Sequence, residues 1–242
     1  MTGMILRSDH LKEYDRRVEI LTKERGRISA FAQGARRPNS ALSACTILFT
    51  FGKFQLYEGR DSYHLQSGTI QNQFGEMAAD YDALCYCSYF AEMVRHFTRE
   101  NMEAPGELLL MYVTMRAVMG GKVSLALVRA IFELRLMMLA GEMLELFECL
   151  HCGEKNVNTV YLQAGGLVCE NCARKEETLR DSYPIVLSGD TLYTLQYILT
   201  SELNRLYAFT VSDEVQGELT HFMKRYLGRY LPVRFKTLDF IE

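Results

Sequence analysis

Cys149-Leu150-His151-Cys152, followed after sixteen residues by Cys169-Glu170-Asn171-Cys172, is the stretch that decides how this chain is read. Each CxxC pair turns two thiolates toward one point, and a turn at Gly165-Gly166 returns the second pair to the first, which is a metal-site spacing. Four thiolates at about 2.3 Å complete a tetrahedron and leave no position for a catalytic water. The expectation is a structural Zn2+ held by Cys149, Cys152, Cys169 and Cys172. His151 lies inside the first knuckle, but four thiolates already complete the site. Neither CxxC opens a helix in a βαβ context, so a redox role is poorly supported.

Working outward, 242 residues suit one large or two modest domains with a proper core, so zinc is local reinforcement rather than the basis of folding. The net charge of −3 is unevenly spread: residues 1 to 75 hold 11 Lys+Arg against 7 Asp+Glu, and the remainder 16 against 23. A basic block on an acidic chain suggests an anionic partner for one domain, and nucleic acid is the commonest such partner. Cys45, Cys85 and Cys87 form an odd, scattered set that reads as apolar filler in a reducing compartment. The start of the chain lacks a signal-peptide core, and Arg116, Arg129, Glu133 and Arg135 interrupt the longest apolar runs, so no membrane association is expected.

Upstream of the cysteines, residues 1 to about 75 alternate in short segments between turn residues: Met4 to Arg7, Tyr14 to Thr22, Arg27 to Gly34, Leu48 to Glu58 and Tyr63 to Gln71. Five such strands suggest an OB-like barrel. Glu24-Arg25-Gly26 and Glu58-Gly59-Arg60-Asp61 read as hairpin turns, and Arg36-Arg37-Pro38-Asn39-Ser40 as part of a polar loop. Period two puts Ile28, Ala30 and Ala32 on a core face and Arg27, Ser29, Phe31 and Gln33 opposite. It groups Phe49, Phe51, Lys53, Gln55 and Tyr57 on one face, and sets Arg17 and Glu19 against Val18 and Ile20. Cations interleaved with rings suit a single strand, because the charges follow phosphates while bases stack at roughly 1–3 kcal/mol each. Candidate DNA-binding residues are Arg17, Lys23, Arg25, Arg27, Phe31, Arg36, Arg37, Phe51, Lys53 and Tyr57. The same rings would also fill a core or pack under the next domain, and the same charges would suit a solvated face.

Helices are expected from Met77 to Glu100, through Leu108 to Met119, and through Leu127 to Met138, with these three forming the main hydrophobic core. Ser188 and Ser212 read as N-caps of two later helices. The tail adds Lys224, Arg225, Arg229, Arg234 and Lys236 among Tyr226, Tyr230 and Phe235, a second basic and aromatic surface. The chain has no GxxxxGK[ST], HExxH, GxSxG or GxGxxG, so enzymatic chemistry is unsupported. The fold class is α+β: a five-stranded OB-fold nucleic-acid-binding barrel over 1–75, then an all-α domain over 76–242 carrying a four-cysteine zinc finger inserted at about 147–175.

Tyr14-Asp15-Arg16, Leu21-Thr22-Lys23-Glu24-Arg25-Gly26-Arg27-Ile28, Gly34-Ala35-Arg36-Arg37-Pro38 and Leu56-Tyr57-Glu58-Gly59-Arg60 follow one another in order ahead of the CxxC pairs. Across essentially the whole chain this resembles the bacterial RecO family of DNA repair and recombination mediators, many of which carry a zinc finger at this place. The resemblance implies a non-catalytic protein that anneals complementary strands and assists recombinase loading on coated single strands. Implied partners are single- and double-stranded DNA, single-strand DNA-binding protein and RecR, in the cytoplasm at the nucleoid, with no small-molecule substrate. Contacts with the acidic, hydrophobic tail of the single-strand DNA-binding protein would fall on the helical domain, where Lys224, Arg225, Arg229, Arg234 and Lys236 are candidates. The family's 33–41 loop is often more basic; here Gln33, Asn39 and Ala41 are neutral. The competing reading is a zinc-ribbon transcription or RNA-associated adaptor.

Overall fold

A computed structural model describes residues 1–60, 62–180 and 182–241. It resolves two compact units, Met1–Gly121 with Phe235–Glu242, and Lys122–Arg234. In the first unit, strands β1 (Thr2–Leu11), β2 (Asp15–Thr22) and β3 (Gly26–Ala32) form a meander. A one-turn helix, α1 (Leu42–Cys45), leads to β4 (Thr50–Glu58) and β5 (Tyr63–Gln73). The strands close in the order β1-β2-β3-β5-β4, with β4 returning to β1 and β3 running parallel to β5. This is a five-stranded OB-fold barrel. Alternation drives it: on β3 every even-numbered residue is buried and every odd-numbered side chain half-exposed. Ile20, Ile28, Ala30, Phe54 and Leu65 fill the interior, each large side chain contributing about 1.5–3 kcal/mol of transfer free energy. Closure leaves no edge strand open to pairing.

Two local features depart from simple alternation. Phe49, expected on the outward face of the fourth strand, takes φ of +61° and is only 2% exposed. The left-handed residue breaks the strand, which starts at Thr50, and sends the ring inward. The Glu24-Arg25-Gly26 turn forms as expected, with Gly26 at φ of +64°. In the Glu58-Gly59-Arg60-Asp61 turn, Asp61 lies outside the described residues, while Gly59 N–H donates to Ser62 O at 2.8 Å.

The single helix expected from Met77 to Glu100 is two elements, a 3-10 turn at Gly75–Ala79 and α2 at Tyr81–Phe97. Asp80 causes the break: its backbone is extended and its carboxylate caps Ala83 N–H. At the other end Thr98 turns extended and its hydroxyl bonds back to Val94 O at 2.7 Å. Helix α3 (Pro105–Gly120) starts with proline in its first turn and stops at Gly121, φ +60°. The β2–β3 turn is tied to the connection between these helices: Asn101 N–H donates to Arg25 O at 3.0 Å, and Ala104 N–H to Lys23 O at 3.1 Å. The C-terminal segment belongs to the same unit, where Glu92 accepts from both the backbone and the hydroxyl of Thr237.

The second unit holds α4 (Leu125–Leu139), strands β6 (Thr159–Tyr161) and β7 (Gly166–Leu167), short helices α5 (Glu170–Ala173) and α6 (Glu177–Arg180), strand β8 (Ile185–Val186), and helices α7 (Gly189–Thr200) and α8 (Asp213–Tyr230). The three small strands make one sheet in the order β7-β6-β8. The expectation of one core built from three successive helices is corrected: α2 packs on α3 in the first unit, whereas α4 packs on α7 and α8 in the second. Spacing revealed each apolar stripe but not its partner. Ser188 and Ser212 cap α7 and α8 as expected, accepting from Thr191 and Val215 N–H. Arg135 donates from one nitrogen to the carbonyls of Ile198, Leu199 and Ser201, serving the unpaired acceptors at the end of α7.

Candidate nucleic-acid interface and four-cysteine centre

The barrel register assembles one row of outward side chains from four strands. Arg17 on β2 pairs with Phe31 on β3, Phe31 pairs across the parallel seam with His64 on β5, and His64 pairs with Tyr57 on β4. The Phe31 and His64 rings lie 5.8 Å apart between centroids, and Tyr57 is 59% exposed. Arg17 Nε donates to Ser29 Oγ at 2.9 Å, which steadies the side chain and leaves its Nη groups without a hydrogen-bond partner among the described residues. A cation, a phenyl ring, an imidazole and a phenol thus share one rung, an arrangement able to hold a phosphate and stack bases.

The loop after β3 continues from this row. Gly34, at φ of +68°, donates its N–H to Asp15 Oδ1 at 2.8 Å and turns the chain back over the β1–β2 connection. Arg36 and Arg37 are exposed there; Arg36 Nη1 reaches Glu13 O at 3.1 Å, and the Arg37 guanidinium sits 5.8 Å from the centroid of the Tyr14 ring. Lys53 is exposed farther down β4, and Lys23 at the β2–β3 turn.

Three candidates have occupied partners instead. Arg27 contacts Glu19 at 3.3 Å and Thr98 O at 3.2 Å. Glu19 is shared with Arg95 of α2, at 2.6 Å. Burial opposes ionisation of Glu19, but the Arg95 hydrogen bond and the charges of Arg95 and Arg27 outweigh it and hold the carboxyl below its ordinary range. Arg25 bonds Asn101 and lies 3.7 Å from Glu58. Phe51 is half-buried, with its ring 4.7 Å from that of Tyr112 on α3. Sequence reading missed His64 and Arg60. The parity that buries Tyr63 and Leu65 puts His64 outside, but its neighbour Phe31 is 33 positions earlier and joined only by the parallel seam.

Lys224, Arg225, Arg229 and Arg234 belong to the second unit and Lys236 to the first. Arg225 donates to the carbonyls of Tyr183 and Pro184, Tyr226 and Phe235 are buried, and Tyr230 donates to Leu162 O.

The cysteines meet where the CxxC arithmetic requires. The four Sγ atoms lie within 4.8 Å of one another, with Cys152 and Cys169 at 3.7 Å. A tetrahedral ion with 2.3 Å sulfur bonds spaces its ligands by about 3.8 Å, so these side chains fit a metal ion such as zinc. Cys169 N–H donates to Cys149 Sγ at 3.3 Å. Burial opposes ionisation of Cys149, but backbone N–H groups of Cys169, His151 and Cys152 prevail and bring the thiol down to about 6. His151 stays outside the cluster, its Nε2 2.8 Å from Glu176.

A closed OB-fold barrel with a cation-and-ring face and a helical unit with a four-thiol centre define a class of OB-barrel protein with a candidate metal centre. Residues 1–74 match the family model described as Recombination protein O N terminal, and residues 78–239 match Recombination protein O C terminal. The chain belongs to the RecO family of DNA repair proteins. It is 29% identical over 245 residues to the DNA repair protein RecO of Acetivibrio thermocellus, covering 100% of this chain and 95% of that one. It is 26% identical to that of Desulforamulus reducens, covering 100% and 93%, and 28% identical to that of Alkaliphilus metalliredigens, covering 98% and 96%. No helix among the described residues is long and apolar enough to cross a membrane.

Proposed function

We propose that this chain is a non-catalytic recombination mediator that binds single strands on its barrel, anneals complementary strands, and assists recombinase loading on strands coated with single-strand DNA-binding protein. The observation that carries this reading is the Arg17–Phe31–His64–Tyr57 rung with Arg36 and Arg37 beyond it. Charge there neutralises phosphates and rings accept bases, and annealing needs only that two strands be concentrated and left free to pair. In this reading residues 1–75 are the nucleic-acid-binding domain and 76–242 the helical domain with its finger at about 147–175. Cys149, Cys152, Cys169 and Cys172 hold structural zinc, which stiffens the finger and performs no chemistry.

Family membership supports single- and double-stranded DNA, single-strand DNA-binding protein and RecR as partners, at the nucleoid in the cytoplasm. An annealing assay tests the proposal: complementary oligonucleotides coated with the cognate single-strand DNA-binding protein should pair faster in the presence of this chain. An adaptor for transcription or RNA would leave the rate unchanged, and that outcome would refute the mediator reading.

A further inference from the structure

Beside the rung, the barrel opens a recess of about 490 Å³ whose described walls include Arg17, Phe31, Glu58, Arg60, Tyr63 and Glu100. Small-molecule sites span roughly 300–1,000 Å³, so the space is large enough to be a ligand site. Two features are out of place in a plain phosphate groove. Glu58 and Glu100 bring carboxylates to a surface otherwise suited to a polyanion. Tyr63 is only 4% exposed, and its hydroxyl has no hydrogen-bond partner among the described residues. A buried hydroxyl without a partner is costly to keep unless something supplies one.

Phosphate cannot explain these groups, whereas the edge of a base can. Carboxylates accept from exocyclic amino groups, as Glu and Asp do from cytosine N4, and repel the carbonyl oxygens that thymine and uracil present at the same place. Tyr63, able to donate or accept, suits either the ring nitrogen or the carbonyl beside such an amino group. Phe31 supplies an apolar wall, and exposed Arg60 and Arg17 stand ready for the flanking phosphates. Glu58 is only loosely held by Arg25, at 3.7 Å.

We propose that this recess is a base pocket: it receives one nucleobase splayed from a bound single strand, and Glu58, Glu100 and Tyr63 select a base that carries an amino group. The inference rests on the barrel's being the strand-binding surface. It makes the protein discriminating at one position of a site that elsewhere reads only charge and stacking, so coated strands would be engaged preferentially at amino-bearing bases.

Oligodeoxycytidine and oligodeoxyuridine test it, because they share backbone and length and differ at the C4 substituent and N3. By fluorescence anisotropy at one salt concentration, the full-length protein should bind oligodeoxycytidine about five- to tenfold more tightly, the scale of one good base-edge contact. Glu58→Ala with Glu100→Ala should bring the ratio toward one. Tyr63→Phe should reduce the ratio while leaving thermal stability unchanged or raised, since it removes a hydroxyl that has no hydrogen-bond partner among the described residues. Equal binding of the two oligonucleotides by the unaltered protein, or an undiminished preference in the double variant, overturns the base pocket while leaving strand binding intact. Failure to bind either oligonucleotide overturns the strand-binding reading and the pocket together.

Discussion

Phe31 and His64 face each other across the parallel seam between β3 and β5, their rings 5.8 Å apart and tilted by 40°. Phe51, by contrast, lies against Tyr112 at 4.7 Å. The two aromatics of one barrel therefore have different surroundings, one against another barrel strand and one against α3. Phe31→Ala should weaken oligonucleotide binding by about 1–3 kcal/mol with little change in salt dependence, because stacking is lost and no phosphate contact is removed. Phe51→Ala should instead lower the melting temperature, with a core-like cost of about 2 kcal/mol reduced by its partial exposure. A calorimetric melt and a binding isotherm on each variant separate the two, and a reversed pattern would exchange the assignments.

Arg36 and Arg37 sit on the β1–β2 connection without charged partners among the described residues. Reversing both to glutamate should flatten the logarithmic salt dependence of single-strand affinity by about two units and weaken binding at low salt. Stability should move by no more than about 0.5 kcal/mol, as for other exposed substitutions. An unchanged titration curve would remove this loop from the interface.

Glu19 is placed between Arg95 and Arg27, which together lower its pKa despite the opposing effect of burial. A carboxyl with a depressed folded-state pKa adds stability above its unfolded pKa of about 4.3, and that contribution is lost as pH falls through the folded value. Glu19→Gln should destabilise the protein at pH 7 by about 1–3 kcal/mol, since two guanidinium groups lose their shared acceptor. The gap between variant and parent should narrow in melts taken well below pH 4. A gap that does not change with pH would argue against the ion-pair origin.

Gly26 combines a φ of +64° with a position where a β-carbon would collide with the carbonyl oxygens of Arg99 and Met102. Gly26→Ala should cost roughly 1–3 kcal/mol from the backbone conformation alone, and more from forcing the turn off the α2–α3 connection. Urea unfolding measures the loss; a midpoint equal to the parent's would mean that the turn is not held there.

Cys149→Ser, or exposure to a strong chelator, should remove about one zinc per chain by elemental analysis and lower thermal stability, because a preformed thiolate site contributes its binding energy to folding. Protons should be taken up as the thiolates are released. Full metal content after the substitution would contradict the ligand set.

Much of this organisation was readable along the chain because its signals are local. Alternation of Ile28, Ala30 and Ala32 with Arg27, Ser29 and Phe31 fixed the faces of the third strand, and Ser188 and Ser212 announced their helices. The failures share a cause. Phe49 left its expected face through one unusual φ, Asp80 cut a helix that looked continuous, and α4 joined α7 and α8 rather than its neighbours in sequence. Periodicity describes which side of an element is apolar, and says nothing about what that side meets.

The amino-acid order alone determined that four thiols would share one point and that a basic, alternating front segment would close on itself, since spacing and parity are properties of the chain. Only the tertiary structure decided which cations remain available. Arg27 and Arg17 are indistinguishable as charges in the sequence, yet Arg27 is drawn into Glu19 and Thr98 while Arg17 is paired across the strands with Phe31 and bonds Ser29 through Nε alone. Competition among donors for a few nearby acceptors is settled by three-dimensional distance: Thr98 lies 71 positions after Arg27 and reaches it only where the β2–β3 turn meets the connection after α2.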